Sequence, residues 1–121
     1  DDRKLFIDPN ITKTILRNLI SNAIKFSKPN TEVNIYKNML EDEIIITVSD
    51  KGIGISQENL NSIWNPLQSF KTIGTNGEKG TGIGLSICKE LVEKQGGRIW
   101  IESRLGEGSD FNFSIPLSKV G

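Results

Sequence analysis

Four short segments carry residues whose types and order suggest chemistry: Asn22-Ala23-Ile24-Lys25, Asp50-Lys51-Gly52-Ile53-Gly54, Gly80-Thr81-Gly82-Ile83-Gly84 and Gly106-Glu107-Gly108-Ser109. The first supplies a neutral amide oxygen and an ammonium. The second pairs a carboxylate with glycines, and the last two offer backbone free of side-chain obstruction. A triphosphate carrying a divalent cation asks for a metal-capable oxygen, positive charge and close-approaching backbone N–H groups. One glycine loop alone is any turn, but the series in this order reads as a nucleotide pocket.

The composition removes other chemistries. Histidine is absent from all 121 residues, which excludes a Ser-His-Asp or Cys-His nucleophile and a histidine-held metal. If the domain handles phosphohistidine, the histidine lies elsewhere. The single cysteine, Cys88, rules out an internal disulfide and leaves no zinc or iron–sulfur spacing, in keeping with a reducing compartment. Fifteen basic and fifteen acidic residues cancel, so no whole-chain field draws in nucleic acid or an anionic membrane. Apolar runs such as Ile44 to Val48 fall far short of the roughly 20 residues that span a bilayer, and no signal-peptide pattern opens the chain. At 36% hydrophobic, the chain is expected to be one soluble cytoplasmic domain over residues 1–121, with a core large enough to fold without staples.

Several elements must position those four segments. Asp8-Pro9 is an N-cap followed by a proline suited to the first helical position, so a helix is predicted from Pro9 to about Ser27, ending before Pro29. Its apolar face comprises Ile11, Ile15, Leu16, Leu19, Ile20, Ala23, Ile24 and Phe26, and Asn18, Asn22 and Lys25 cluster within about 60° at one border of it. Val33 to Leu40 and Glu43 to Asp50 read as a hairpin turning at Glu41-Asp42. In its second strand Ile44, Ile46, Val48 and Asp50 share a face, so Asp50 ends an inward apolar row as a carboxylate in want of a partner.

Ser56 caps a short helix to about Ile63, and Trp64 to Lys79 is a long loop without periodicity. A helix over Gly84 to Gln95 puts Leu85, Cys88, Leu91 and Val92 on one face and stops at Gly96-Gly97. Ile99 to Ser103 and Phe111 to Leu117 alternate as strands about a Gly106 to Gly108 turn, with Phe111, Phe113, Ile115 and Leu117 inward. Lys4 to Ile7 is a further candidate strand, and the chain reads as a fragment of a larger protein.

These segments resemble the ATP-binding catalytic domain of bacterial sensor histidine kinases, a branch of the superfamily shared with type II topoisomerases, heat-shock chaperones and mismatch-repair proteins. Asn18 to Ser27 looks like the N box, Asp50 to Gly54 and Gly80 to Leu85 like the two glycine boxes, and Gly106 to Ser109 like the closing glycine segment. The resemblance implies the Bergerat ATP-binding fold: an α/β (α+β) two-layer sandwich, with a mixed, mainly antiparallel sheet and helices on one face.

It also implies roles. Magnesium keeps several waters and takes oxygen ligands, so Asn22 alone is expected to hold Mg2+ while the triphosphate supplies the remaining charge. Lys25 places an ammonium near the phosphates, and Asn18, one turn earlier, bonds a metal-bound water or phosphate oxygen. Asp50 accepts from the adenine exocyclic amine, which favours ATP over GTP. Gly52 and Gly54 let backbone approach the base, and Ser109, where the family often has threonine, holds it through a water. Phosphates face Gly80, Thr81, Gly82, Ile83 and Gly84 at the start of a helix, with Lys79 and Lys71 in the preceding loop. The spacing is neither a P-loop nor a dinucleotide fingerprint. Phe26, Ile55 and Leu85 complete the expected nucleotide contacts.

Ile55 to Lys79 would be the ATP lid. Where the family carries Phe-x-Pro-Phe, this chain has Trp64-Asn65-Pro66-Leu67, keeping the proline and replacing both aromatics, with Phe70 nearby. The expected function is to present the ATP γ-phosphate to a histidine on a separate dimerisation domain, from which it passes to an aspartate of a response regulator receiver domain. This piece is expected to be monomeric and its parent a homodimer, with or without an anchor in the inner membrane, and with no nucleic-acid partner. The hydrolytic clamps of the superfamily, and its serine kinases, use an acidic residue one turn before the metal-binding asparagine. Here that position is Asn18, which cannot serve as a carboxylate base. A non-catalytic binding module is the remaining alternative.

Overall fold

A computed structural model describes residues 4–5, 8–64 and 83–118. In chain order the elements are β1 (Lys4–Leu5), α1 (Pro9–Phe26), β2 (Asn34–Met39), β3 (Glu43–Asp50), α2 (Gln57–Ser62), α3 (Ile83–Lys94), β4 (Ile99–Arg104) and β5 (Gly108–Ser118). All pairings among the described strands are antiparallel. β5 sits centrally, with β3 and then β2 on one side; on its other side β4 pairs along Gly108 to Phe113 and β1 at Leu117 and Ser118. This is the expected two-layer sandwich with a mainly antiparallel sheet.

Local chemistry sets the helix limits. Asp8 accepts from the Asn10 and Ile11 amides with Pro9 in the first turn, so α1 starts with its orphan donors answered. It ends where Ser27 turns extended, two residues before Pro29. Ser56 caps α2 by accepting from the Asn59 amide. α3 closes on Gly96 at φ +83°, with the Gly96 and Gly97 amides returning to the Glu93 and Val92 carbonyls at 3.0 Å each. That geometry is a left-handed helix stop, which glycine adopts without a Cβ penalty.

The core lies between the sheet and the helices: Ile15, Leu19, Ala23 and Phe26 of α1 and Leu85, Cys88 and Val92 of α3 cover Val48, Phe111, Phe113 and Ile115. Phe111 and Phe113 are 1% exposed, and fully burying such a ring contributes about 1.5–3 kcal/mol. The breadth of the α1 apolar face is a correction to the sequence reading, because Ile24 is 56% exposed and Leu16 and Ile20 are only half-buried. A helical wheel gives the width of a stripe and not how much of it a neighbour covers. No helix among the described residues is long and apolar enough to cross a membrane.

β5 begins earlier than the alternation suggested. Gly108, Ser109 and Asp110 belong to the strand because Ser109 and Asp110 pair with both β3, at Asp50 and Ser49, and β4, at Ser103 and Glu102, and Gly108 pairs with Arg104 of β4. This extension carries Ser109 into the sheet beside Asp50.

Candidate functional site

Three inward rows end in polar residues at the same end of the sheet. Ile44, Val48 and Asp50 are buried along β3, Phe111 and Phe113 follow Ser109 on β5, and Ile99 and Ile101 precede Ser103 on β4. The ladder pairs Asp50 with Ser109 and Ser109 with Ser103, so a carboxylate and two hydroxyls form a band across three adjacent strands.

Asp50 is only 3% exposed. Its Oδ1 accepts from the Gly52 amide at 2.8 Å, while Oδ2 is buried and receives no hydrogen bond from any described residue. Burial pushes its pKa up to about 6; the Gly52 and Ser109 amides pull against that, and the Asp110 charge adds to it. An anionic oxygen in this condition is costly unless a donor reaches it. The exocyclic amine of adenine is such a donor, and a carbonyl at the same place is not.

Gly52 locks this corner to α1. The Ile53 amide donates to the Phe26 carbonyl at 3.1 Å, Ser27 and Gly52 form a β-bridge, and a Cβ on Gly52 would overlap the Phe26 carbonyl. Gly54, at φ +74°, presses against the Arg104 carbonyl, and the Gly106 amide donates to the Ile53 carbonyl at 2.7 Å. The segment after Asp50 is therefore pinned between the end of α1 and the β4–β5 turn, one helical turn from Asn22.

On α1, Asn18, Asn22 and Lys25 are half-buried along one edge, as the wheel predicts. Asn18 Nδ2 donates to the Thr14 carbonyl and Asn22 Nδ2 to the Asn18 carbonyl, both at 3.0 Å. Each amide spends a donor on the helix behind it, which leaves its Oδ1 as an acceptor. The Cys88 thiol donates to the Ile15 carbonyl at 3.8 Å, and burial raises its pKa while the Asn18 amide pulls against that.

The Asp8 amide meets Gln95 Oε1 at 3.1 Å, and Cys88 meets Ile15, so α3 runs antiparallel to α1. Five residues back from Cys88, about 7.5 Å at the helical rise, Ile83 opens α3 at the level of Ile20, five residues on from Ile15.

The structure does not join the two halves in one cavity among the described residues. A cleft of about 780 Å³ is lined by Asp50, Ser103, Ser109, Leu60, Trp64 and Ile101 among others, and its described lining includes nothing from α1. Phe26, Ile55 and Leu85 lie in the buried core, and Ile83 and Gly84 are the first two residues of α3. Trp64 packs partly buried against the core. Lys71, Lys79, Gly80, Thr81, Gly82 and most of the expected lid, from Asn65 onward, lie outside the described residues. Among the described residues no group of three acidic, cysteine or histidine side chains could hold a metal.

Ser103 is the residue that sequence reasoning missed. It ends the Ile99-Ile101 row as Asp50 ends the Ile44-Val48 row, so the same two-residue period points to it.

A profile of the family described as histidine kinase-, DNA gyrase B-, and HSP90-like ATPase matches residues 7–119. Cyanobacterial phytochrome A of Nostoc sp. is 45% identical over 105 residues, covering 85% of this chain and 13% of that protein. The adaptive-response sensory kinase SasA of Synechococcus elongatus is 36% identical over 114 residues, covering 93% of this chain and 29% of that protein. The chain therefore spans less than a third of the length of these curated relatives. The solved catalytic domain of histidine kinase ThkA superposes with a TM-score of 0.75 at 34% identity, covering 90% of this chain and 69% of that one. A profile match across almost all of the sequence, together with that superposition, establishes that the chain belongs to the histidine kinase-, DNA gyrase B- and HSP90-like ATPase family, among the catalytic domains of histidine kinases.

Proposed function

We propose that this domain binds ATP with Mg2+ and presents the γ-phosphate to a histidine carried on a separate dimerisation domain, as the catalytic part of a two-component sensor kinase. The observation that carries the reading is the orphaned Oδ2 of Asp50, a buried acceptor at the mouth of three converging strands. It fits an adenine amine. The Asn22 Oδ1, an acceptor whose own amide nitrogen is bonded back to the Asn18 carbonyl, fits a hard cation that takes most of its ligands from phosphate and water. A bound Mg2+ would neutralise phosphate charge; this chain's residues bind and orient the nucleotide.

Phosphoryl transfer to a supplied nucleophile needs positioning and electrostatics more than a protein base. The chain fits that division of labour, having neither histidine nor a carboxylate at position 18 to activate water. Lys25, on the same helix edge, supports the phosphates, and backbone N–H groups at the start of α3 cradle them. The phosphoryl group then passes to a receiver-domain aspartate of a response regulator, and the work is done in the cytoplasm by a homodimeric parent protein.

The test is transfer of labelled γ-phosphate to an added histidine-bearing dimerisation domain. Asn22→Ala and Asn22→Asp are expected to abolish Mg2+-dependent transfer while the domain stays folded. Transfer at the unaltered rate would reject the metal assignment, and rapid release of phosphate to water by the domain alone would favour a hydrolytic clamp.

A further inference from the structure

Ser103 Oγ has three partners: the Ile55 amide at 2.8 Å, the Gly108 carbonyl at 2.9 Å and Ser109 Oγ at 2.7 Å. An amide N–H only donates and a carbonyl only accepts, while a serine hydroxyl owns one proton and two lone pairs. Ser103 therefore spends its proton on Gly108 and one lone pair on Ile55. With all three bonds made at once, the proton between the two serines comes from Ser109. That leaves Ser109 with lone pairs alone for anything in the cleft, directly across the ladder from Asp50, whose Oδ2 is also an acceptor without a donor.

We propose that Ser103 is a specificity-determining positioning residue: by holding the Ser109 proton it makes this corner acceptor-only, selecting a 6-aminopurine over a 6-oxopurine. The inference rests on the nucleotide reading above. A 6-amino group brings two protons to the corner. A water bridging Asp50 and Ser109 would spend both of its protons on them and have none for a 6-oxo group. With Ser103 removed, the Ser109 hydroxyl rotates and donates, and the 6-oxo base is tolerated.

The experiment is calorimetric titration of this chain with ADP and IDP, which differ at position 6 of the base and in whether the neighbouring N1 carries a proton. It is run on the unaltered protein, Ser103→Ala, Ser109→Ala and the double variant. Ser103→Ala is expected to cut the ADP-to-IDP preference about fivefold, the worth of one ordinary hydrogen bond. In the Ser109→Ala background the same change is expected to do nothing further, because Ser103 acts through Ser109. Ser103→Thr, which restores the hydroxyl, is expected to restore the preference. If Ser103→Ala does not fold, Ser103→Cys fills the same space with a poor acceptor and carries the same expectation. An unchanged preference in Ser103→Ala or Ser103→Cys overturns the proposal, as does an equal loss with and without Ser109. Failure of the unaltered protein to bind ADP at all overturns the nucleotide reading itself, and this inference with it.

Discussion

The amide of Gly52 donates to Oδ1 of Asp50 at 2.8 Å and leaves Oδ2 buried with no described partner. One glycine thus fixes the carboxylate's direction without satisfying it. The remaining oxygen is held ready for a donor, and folding bears the cost of keeping it dry.

That cost makes a two-sided prediction for Asp50→Asn. Burial raises the folded-state pKa from 3.8 to about 6, so the folded protein holds this proton more tightly than the unfolded chain does. The resulting stabilisation is full below about pH 4 and is lost as pH rises through about 6. Two units correspond to at most about 3 kcal/mol. Asp50→Asn is therefore expected to melt higher than the unaltered domain at pH 7.5, with the gap closing toward pH 4, and to bind ADP about 10-fold or more weakly. Thermal melts at both pH values and calorimetry check the two halves.

Nucleotide affinity is expected to follow the same proton. A donor from the base favours the ionised carboxylate, so ADP binding is expected to weaken as pH falls below about 6 and to level off above pH 7. Asp50→Asn is expected to flatten that profile. A profile identical in both proteins would assign the proton to another group.

Much of this arrangement was legible in the residues, and what was not has physical causes. The cap at Asp8-Pro9, the left-handed stop at Gly96 and the Ile44-Ile46-Val48-Asp50 row are local or periodic, and each appears where the pattern puts it, with Ile46 half-buried and the other three of the row buried. The exposure of Ile24 and the early start of β5 depend on which neighbours arrive, which no wheel or alternation contains. Ser103 meets Ile55 from 48 residues away, so its hydrogen bond left no short-range mark even though its place in the row did. The bond from the Cys88 thiol to the Ile15 carbonyl, which ties α3 to α1 across 73 residues, was hidden for the same reason.

Gly52 is expected to tolerate no side chain. Its Cβ would overlap the Phe26 carbonyl and come within 2.8 Å of Asp50 Oδ1, so Gly52→Ala must push the end of α1 away from the sheet. A loss of about 2 kcal/mol or more is expected in denaturant unfolding, together with weaker ADP binding. Unchanged stability would mean that the α1 end is not packed as described.

Cys88 reports on the α1–α3 seam. It is fully buried, and burial raises its pKa to about 11, so only about one thiol in a thousand is ionised at pH 8. Native protein is expected to react with a thiol reagent at least 100-fold more slowly than unfolded protein. Equal rates would show that the seam opens freely.

The central claim joins a buried adenine acceptor, Asp50, to a metal-binding amide, Asn22, in one nucleotide site. Titration of the unaltered domain with ADP and GDP, each with and without Mg2+, tests it most directly. The account predicts saturable ADP binding that Mg2+ strengthens, with GDP at least about 10-fold weaker. Equal affinity for the two bases, or no binding of ADP at millimolar concentration, would contradict it.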